Sequence, residues 1–153
     1  MYTDYPLATI RIARSPLYNL LSSFPIACFT GALATDIAYW RTAEMTWANF
    51  SAWLLAVGLV IGALAWIVEL FDLILHPLLR RMGTAWLQLL GHLVVLAMAF
   101  FNTLIHSRDA WTSVVPEGLA LSAITVVLMF FIGLLSTKLV FRRVVREVGV
   151  VEE

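Results

Sequence analysis

Four long apolar blocks, separated by short polar breaks, make up most of the chain. Each is long enough to cross about 30 Å of hydrocarbon as a helix of roughly 20 residues. The pattern predicts helices over about 17–40, 47–75, 84–107 and 117–141. The second block is the most informative. It runs WANFSAWLLAVGLVIGALAWIVELFDLILHPLLRR from Trp47 to Arg81 and ends with two acids, a histidine, a proline and two arginines. Glu69, Asp72 and His76 follow an i, i+3, i+7 spacing, which places them on one helical face. A charge at the middle of a membrane helix costs about 2.5–3.5 kcal/mol on insertion scales, so such a face needs partners or a use.

The punctuation between blocks fits this reading. Residues 1–16 form a polar, basic tail or a short interfacial segment. Arg11, Arg14 and the later Ala32-Leu33-Ala34 match a signal-peptide pattern, but the first block is read as a retained helix. Pro25 predicts a kink or break near Ser22–Phe24, with Ser22 or Ser23 capping a helix that restarts at Pro25. Residues 41–46 form a turn, His76-Pro77 ends the second helix, and Arg80, Arg81 and Gly83 form the next turn. The 108–116 loop, with Trp111, suits the interface, and residues 142–153 form an amphipathic tail. Gly58 and Gly62 make a G-x-x-x-G within the second helix, a close-packing surface either inside the bundle or between copies.

Composition turns four candidate helices into a class. The chain is 61% hydrophobic and 13% charged, with a mean hydropathy of +0.90. Soluble domains run at about 45–50% apolar and 25% charged. The expected fold is all-α: a polytopic four-transmembrane-helix bundle, one membrane domain over residues 1–153. Formal net charge is zero, which gives no support to nucleic-acid binding. Cys28 is the single cysteine, so an intrachain disulfide is excluded. The expected partners are the lipid bilayer and either other membrane-protein subunits or further copies of the chain.

Charge also orients the bundle. With four spans both termini face one side, and that side receives eight lysines and arginines against Arg41 and Arg108 on the other. The positive-inside rule puts both termini and the 76–83 turn in the cytoplasm. At 1.5 Å per residue, Gln88 and His92 lie roughly 6 and 12 Å into the third helix. Glu69, Asp72, His76, Gln88, His92 and Lys138 can therefore converge in the inner half of the bundle. One reading makes this polar intramembrane cluster a proton, ion or cofactor site. The other has the acids paired with Lys138, Arg80 or Arg81 near the interface and His92 bonded to a neighbouring helix.

Other chemistry has less support. His92 and His106 are fourteen residues apart on one helix, the spacing of two stacked haem ligands in respiratory b-type cytochromes. Met129 falls near the depth of His92, so a His–Met pair is the alternative haem arrangement. No sequence motif indicates a catalytic centre or a metal site. Asp36, Asn102, His106, Asp109 and Glu117 read as a solvated outer rim.

Several short motifs carry a resemblance. Phe24-Pro25-Ile26 and Asp36 in the first block, Trp47-Ala48, Gly58 and Asp72 in the second, and Asn102 in the third resemble a bacterial inner-membrane family, domain-of-unknown-function family 2231. Gly133, Leu139-Val140-Phe141 and Gly149-Val150 resemble its close. The family's two opening histidines fall on Ser15 and Tyr18, and its second proline on Asn19, so whatever those histidines do is lost or done differently here. The resemblance implies a bacterial inner-membrane location and a setting near membrane redox proteins. The expected function is a non-catalytic anchor or accessory subunit of a larger, redox-linked membrane complex, with a quinone or lipid in its groove. The alternatives are a small proton or solute transporter using Glu69, Asp72 and His92, and a haem b electron-transfer subunit.

Overall fold

The computed structural model describes residues 16–108 and 114–151, with side chains over 17–108 (Leu78 apart) and 114–134. Among the described residues five helices follow one another: α1 Pro16–Thr42, α2 Met45–Leu75, α3 Pro77–Arg80, α4 Gly83–His106 and α5 Glu117–Val151. Four of them are long and apolar enough to cross a membrane, and no strand occurs among the described residues. The fold is all-α, as the hydropathy pattern predicts.

The differences from the sequence reading lie at Pro25 and at the helix ends. The α1 helix runs through Pro25 without a break. The hydroxyls of Ser22 and Ser23 do not cap a new helix; both donate to the Asn19 carbonyl. The first turn shrinks to Ala43-Glu44, with Ala43 at φ 55° and its N–H bonded to the Tyr39 carbonyl at 2.8 Å. This left-handed residue lets α2 reverse direction within two residues. His76 caps α2 as expected, but the 77–80 stretch winds into the short α3 instead of remaining a turn. The segment read as a tail from 142 onward continues α5 to Val151.

Around the bundle the long helices neighbour one another in the order α1, α2, α4, α5 and back to α1. The end holding the α1 start and the 76–82 connection is the basic end, and the opposite one the distal end. Each long helix turns a narrow stripe inward. In α2 that stripe is Ala48, Ser51, Leu55, Gly58, Gly62, Ala65, Glu69 and Leu73. The steps are all of three or four residues, the seam spacing of helices that cross at a shallow angle. Phe29, Ala32, Asp36 and Tyr39 continue it on α1, and Leu89, Val95, Ala99, Asn102 and His106 on α4. The outward faces are leucine, valine and phenylalanine, and they are exposed.

Close packing explains the small residues on the seam. A Cβ on Gly58 would lie 2.7 Å from Phe29 Cε1 and 2.8 Å from Cys28 Cβ. One on Gly62 would lie 2.8 Å from Leu96 Cδ2 and 3.3 Å from Pro25 Cγ. The G-x-x-x-G of α2 thus faces α1 and α4 of its own bundle. Gly91 plays the same part between α4 and Ile132 of α5. In lipid, helices associate through such van der Waals contact, because tails and leucines are equally apolar. Gly58→Leu is therefore expected to destabilise the bundle by about 1–3 kcal/mol, through forced separation of α1 and α2. Unfolding in mixed micelles reads this, with Gly133→Ala as a control, since nothing lies within 4 Å of a Cβ placed there.

Candidate functional site

Two groups of polar side chains sit on the seam, one at each end of the bundle. The distal group begins with Asp36 of α1, which is fully buried. Its Oδ1 lies 2.9 Å from His106 Nε2, and its Oδ2 accepts the Ser122 hydroxyl at 2.6 Å. Asn102 Nδ2 donates to Ser122 Oγ at 2.8 Å, and His106 Nδ1 donates to the Asn102 carbonyl at 3.0 Å. The bonds close into a ring that starts and ends on Asn102 and links α1, α4 and α5. Nδ1 must carry a proton, because a carbonyl only accepts. The Asp36–His106 contact then holds one more proton between its two atoms, so the pair is neutral overall. Beside it, Thr35 and Ser51 join α1 to α2 through a 2.7 Å hydroxyl contact.

The sequence reading places these residues on a solvated rim, and the structure overturns that. Asp36 lies six residues before the end of α1, about 9 Å from the helix terminus. Asp36, Asn102 and His106 all fall on inward stripe positions. Glu117 does behave as a rim residue, exposed and paired with Arg108 at 3.2 Å. Asp109 lies outside the described residues. The signal that locates this cluster is present in the sequence: small and polar residues recur every three or four positions, as in Ala99, Asn102 and His106, or Gly118, Ser122 and Thr125.

Towards the basic end the seam opens into a groove of about 650 Å³ between α1, α2, α4 and α5. Glu69, Gln88, His92 and Met129 all line it. Glu69 Oε2 lies 2.7 Å from His92 Nδ1. The carboxylate side is sealed, with the Glu69 side chain 5% exposed, while the His92 ring is 34% exposed. Trp66 forms part of the wall, its indole N–H donating to the Leu89 carbonyl at 3.0 Å. Phe29 and Val95 close the distal side, where they belong to the core cluster with Ala32, Leu55 and Ala99.

The predicted six-residue cluster is therefore gathered in part. Glu69, Gln88 and His92 share the groove wall, but Asp72 and His76 do not. The buried stripe steps from Glu69 by four residues to Leu73, which packs with Ala85 and Leu89, and so leaves Asp72 at the edge of the helix. His76 is exposed at the α2 C-cap, its Nδ1 within 2.9 Å of the Asp72 carbonyl. The side chain of Lys138 lies outside the described residues. The haem candidates separate as well. His92 and Met129 share the groove, whereas both nitrogens of His106 are engaged in the distal ring.

A four-span helical bundle with polar pairs on its seam defines a polytopic integral membrane protein. The chain belongs to a family of unknown function described as Predicted membrane protein (DUF2231), whose family model matches residues 14–149. No curated protein and no solved structure matches it.

The distal ring generates a stability prediction. Asp36→Ala leaves the His106 Nε2 side and the Ser122 hydroxyl buried without their acceptor, which costs about 1–3 kcal/mol. Adding His106→Ala to Asp36→Ala should cost less than the sum of the single changes, because the partner is already orphaned. A double-mutant cycle on detergent-solubilised protein checks the sign. Strictly additive losses would show that the ring does not act as a unit.

Proposed function

We propose that this chain is a non-catalytic subunit of the bacterial inner membrane that holds a lipid-soluble ligand within a larger, redox-linked assembly. The observation that carries the reading is the Glu69–His92 pair on the wall of a largely apolar groove. The whole chain acts as one membrane domain, with both termini in the cytoplasm. The eight-to-two distribution of lysine and arginine between the two sides supports that orientation. Among the described residues the connections are short, which leaves no room there for a catalytic unit outside the membrane.

Geometry favours binding over conduction. A transport path would continue from Glu69 and His92 toward the distal end. In its way stand Phe29, Ala32, Leu55, Val95 and Ala99, all buried and packed together. Asp72, the third residue of a transport reading, lies off the groove wall.

Two measurements test the proposal. Solubilisation in a mild detergent should yield the chain with stoichiometric membrane partners and an extractable lipid-soluble compound, both identified by mass spectrometry. A lone monomer would remove the subunit reading. Reporter fusions at the 43–44 turn and at the C-terminus should report opposite sides, with the C-terminal reporter cytoplasmic. A periplasmic C-terminus would reverse the orientation.

A further inference from the structure

If the groove holds a lipid-soluble ligand, as proposed above, two of its features together restrict the chemical class of that ligand. Its rim includes Ile26, Phe130 and Leu134, which are exposed on the outer surface of the bundle, so the groove opens sideways to lipid. Its wall holds a carboxylate–imidazole pair at hydrocarbon depth. Glu69 lies six residues before the end of α2, about 9 Å in, and His92 nine residues after the start of α4, about 13 Å in.

An ordinary phospholipid meets only one of these demands. Its acyl chains suit the rim, but its phosphate belongs at the interface, and an anion gains nothing beside Glu69. The occupant must dissolve in the bilayer and also carry hydrogen-bonding oxygens into the apolar layer. A quinone ring on an isoprenoid tail has that chemistry. We propose that the groove binds a quinone-class ligand, its ring oxygen on the Nε2 edge of His92 and its tail leaving past Ile26 and Phe130.

The pair suits both forms of such a ligand. With Nδ1 held by Glu69, the accessible edge of the imidazole is the one bearing Nε2. As an imidazolium, His92 donates from Nε2 to a quinone carbonyl. In its neutral Nδ1–H form, it accepts at Nε2 from a hydroquinone hydroxyl. Glu69 is the positioning residue: its carboxylate fixes the ring orientation and balances the imidazolium charge. The apolar groove with a few convergent polar groups is the usual form of a small-molecule site.

The test uses the full chain in nanodiscs titrated with decylubiquinone, binding being read by equilibrium dialysis against empty nanodiscs. Saturable binding is expected, weakened roughly tenfold by His92→Phe, the loss of one good hydrogen bond. Gly133→Leu supplies an independent variant that keeps the pair intact. A Cβ there meets nothing within 4 Å, so the larger side chain fills the groove and should abolish binding without unfolding the bundle. Equal binding in wild type, His92→Phe and Gly133→Leu would overturn the proposal. So would a bound haem with a Soret band lost in both His92→Phe and Met129→Leu, which assigns the groove to a metalloporphyrin. A co-purified lipid that is not a quinone, displaced by Gly133→Leu, would overturn the quinone assignment but leave the groove as a ligand site. No binding of any lipophilic probe would remove both.

Discussion

Hydrocarbon offers a polar side chain no partner, and the arrangement of this bundle follows from that. An amide, carboxylate or imidazole in the membrane must find its hydrogen bonds within the protein. The seam is the surface of each helix that faces other protein. Asp36, Ser51, Glu69, Asn102 and Ser122 all lie on it, and each is buried. At the distal end the solution is complete enough to close a ring, Asn102 to Ser122 to Asp36 to His106 and back. That ring joins α1 to α4 across the bundle and to α5 beside it. It fixes the rotation of three helices at once, because a turn of any one of them would expose a polar atom.

The two halves of the bundle use the same seam differently. In the distal half the space is filled: Phe29 and Leu55 pack with Val95 and Ala99, and the hydroxyls of Thr35 and Ser51 meet. In the basic half the filling is incomplete. Pro25 and Leu96 occupy the hollow at Gly62, but a Cβ on Gly133 would meet nothing within 4 Å, and the groove remains between them. The Glu69–His92 pair is therefore placed where its imidazole is accessible, unlike that of His106, whose side chain is 1% exposed. Equivalent chemistry thus closes a buried ring at one end and lines an open groove at the other.

Much of this is legible in the order of the amino acids. Four blocks of hydropathy and length identify four spans, and His76-Pro77 marks the end of α2. Depth, at 1.5 Å per residue, brings Glu69 of α2 level with His92 of α4. Depth does not give rotation about the helix axis. For that reason sequence spacing groups Asp72, one turn from Glu69, with the site, although the seam passes through Leu73 instead. For the same reason Asp36 and His106 read as a rim in sequence: position along a helix does not show which way a side chain faces, and only their azimuth shows them to be interior. Hydropathy is nearly uniform around a membrane helix, so the usual guide to the buried face is weak. The three–four spacing of small and polar residues carries that information instead.

The sequence by itself determined the class, the number of spans and the depth of the ionisable residues in them, because those depend on local composition and on the fixed rise of the helix. The tertiary structure alone decided which residues meet. The partnership of Asp36 with His106 spans seventy residues and that of Glu69 with His92 spans twenty-three. Such pairings depend on how four helices are rotated against one another, and that rotation is set jointly by glycine contacts and polar satisfaction along all four seams.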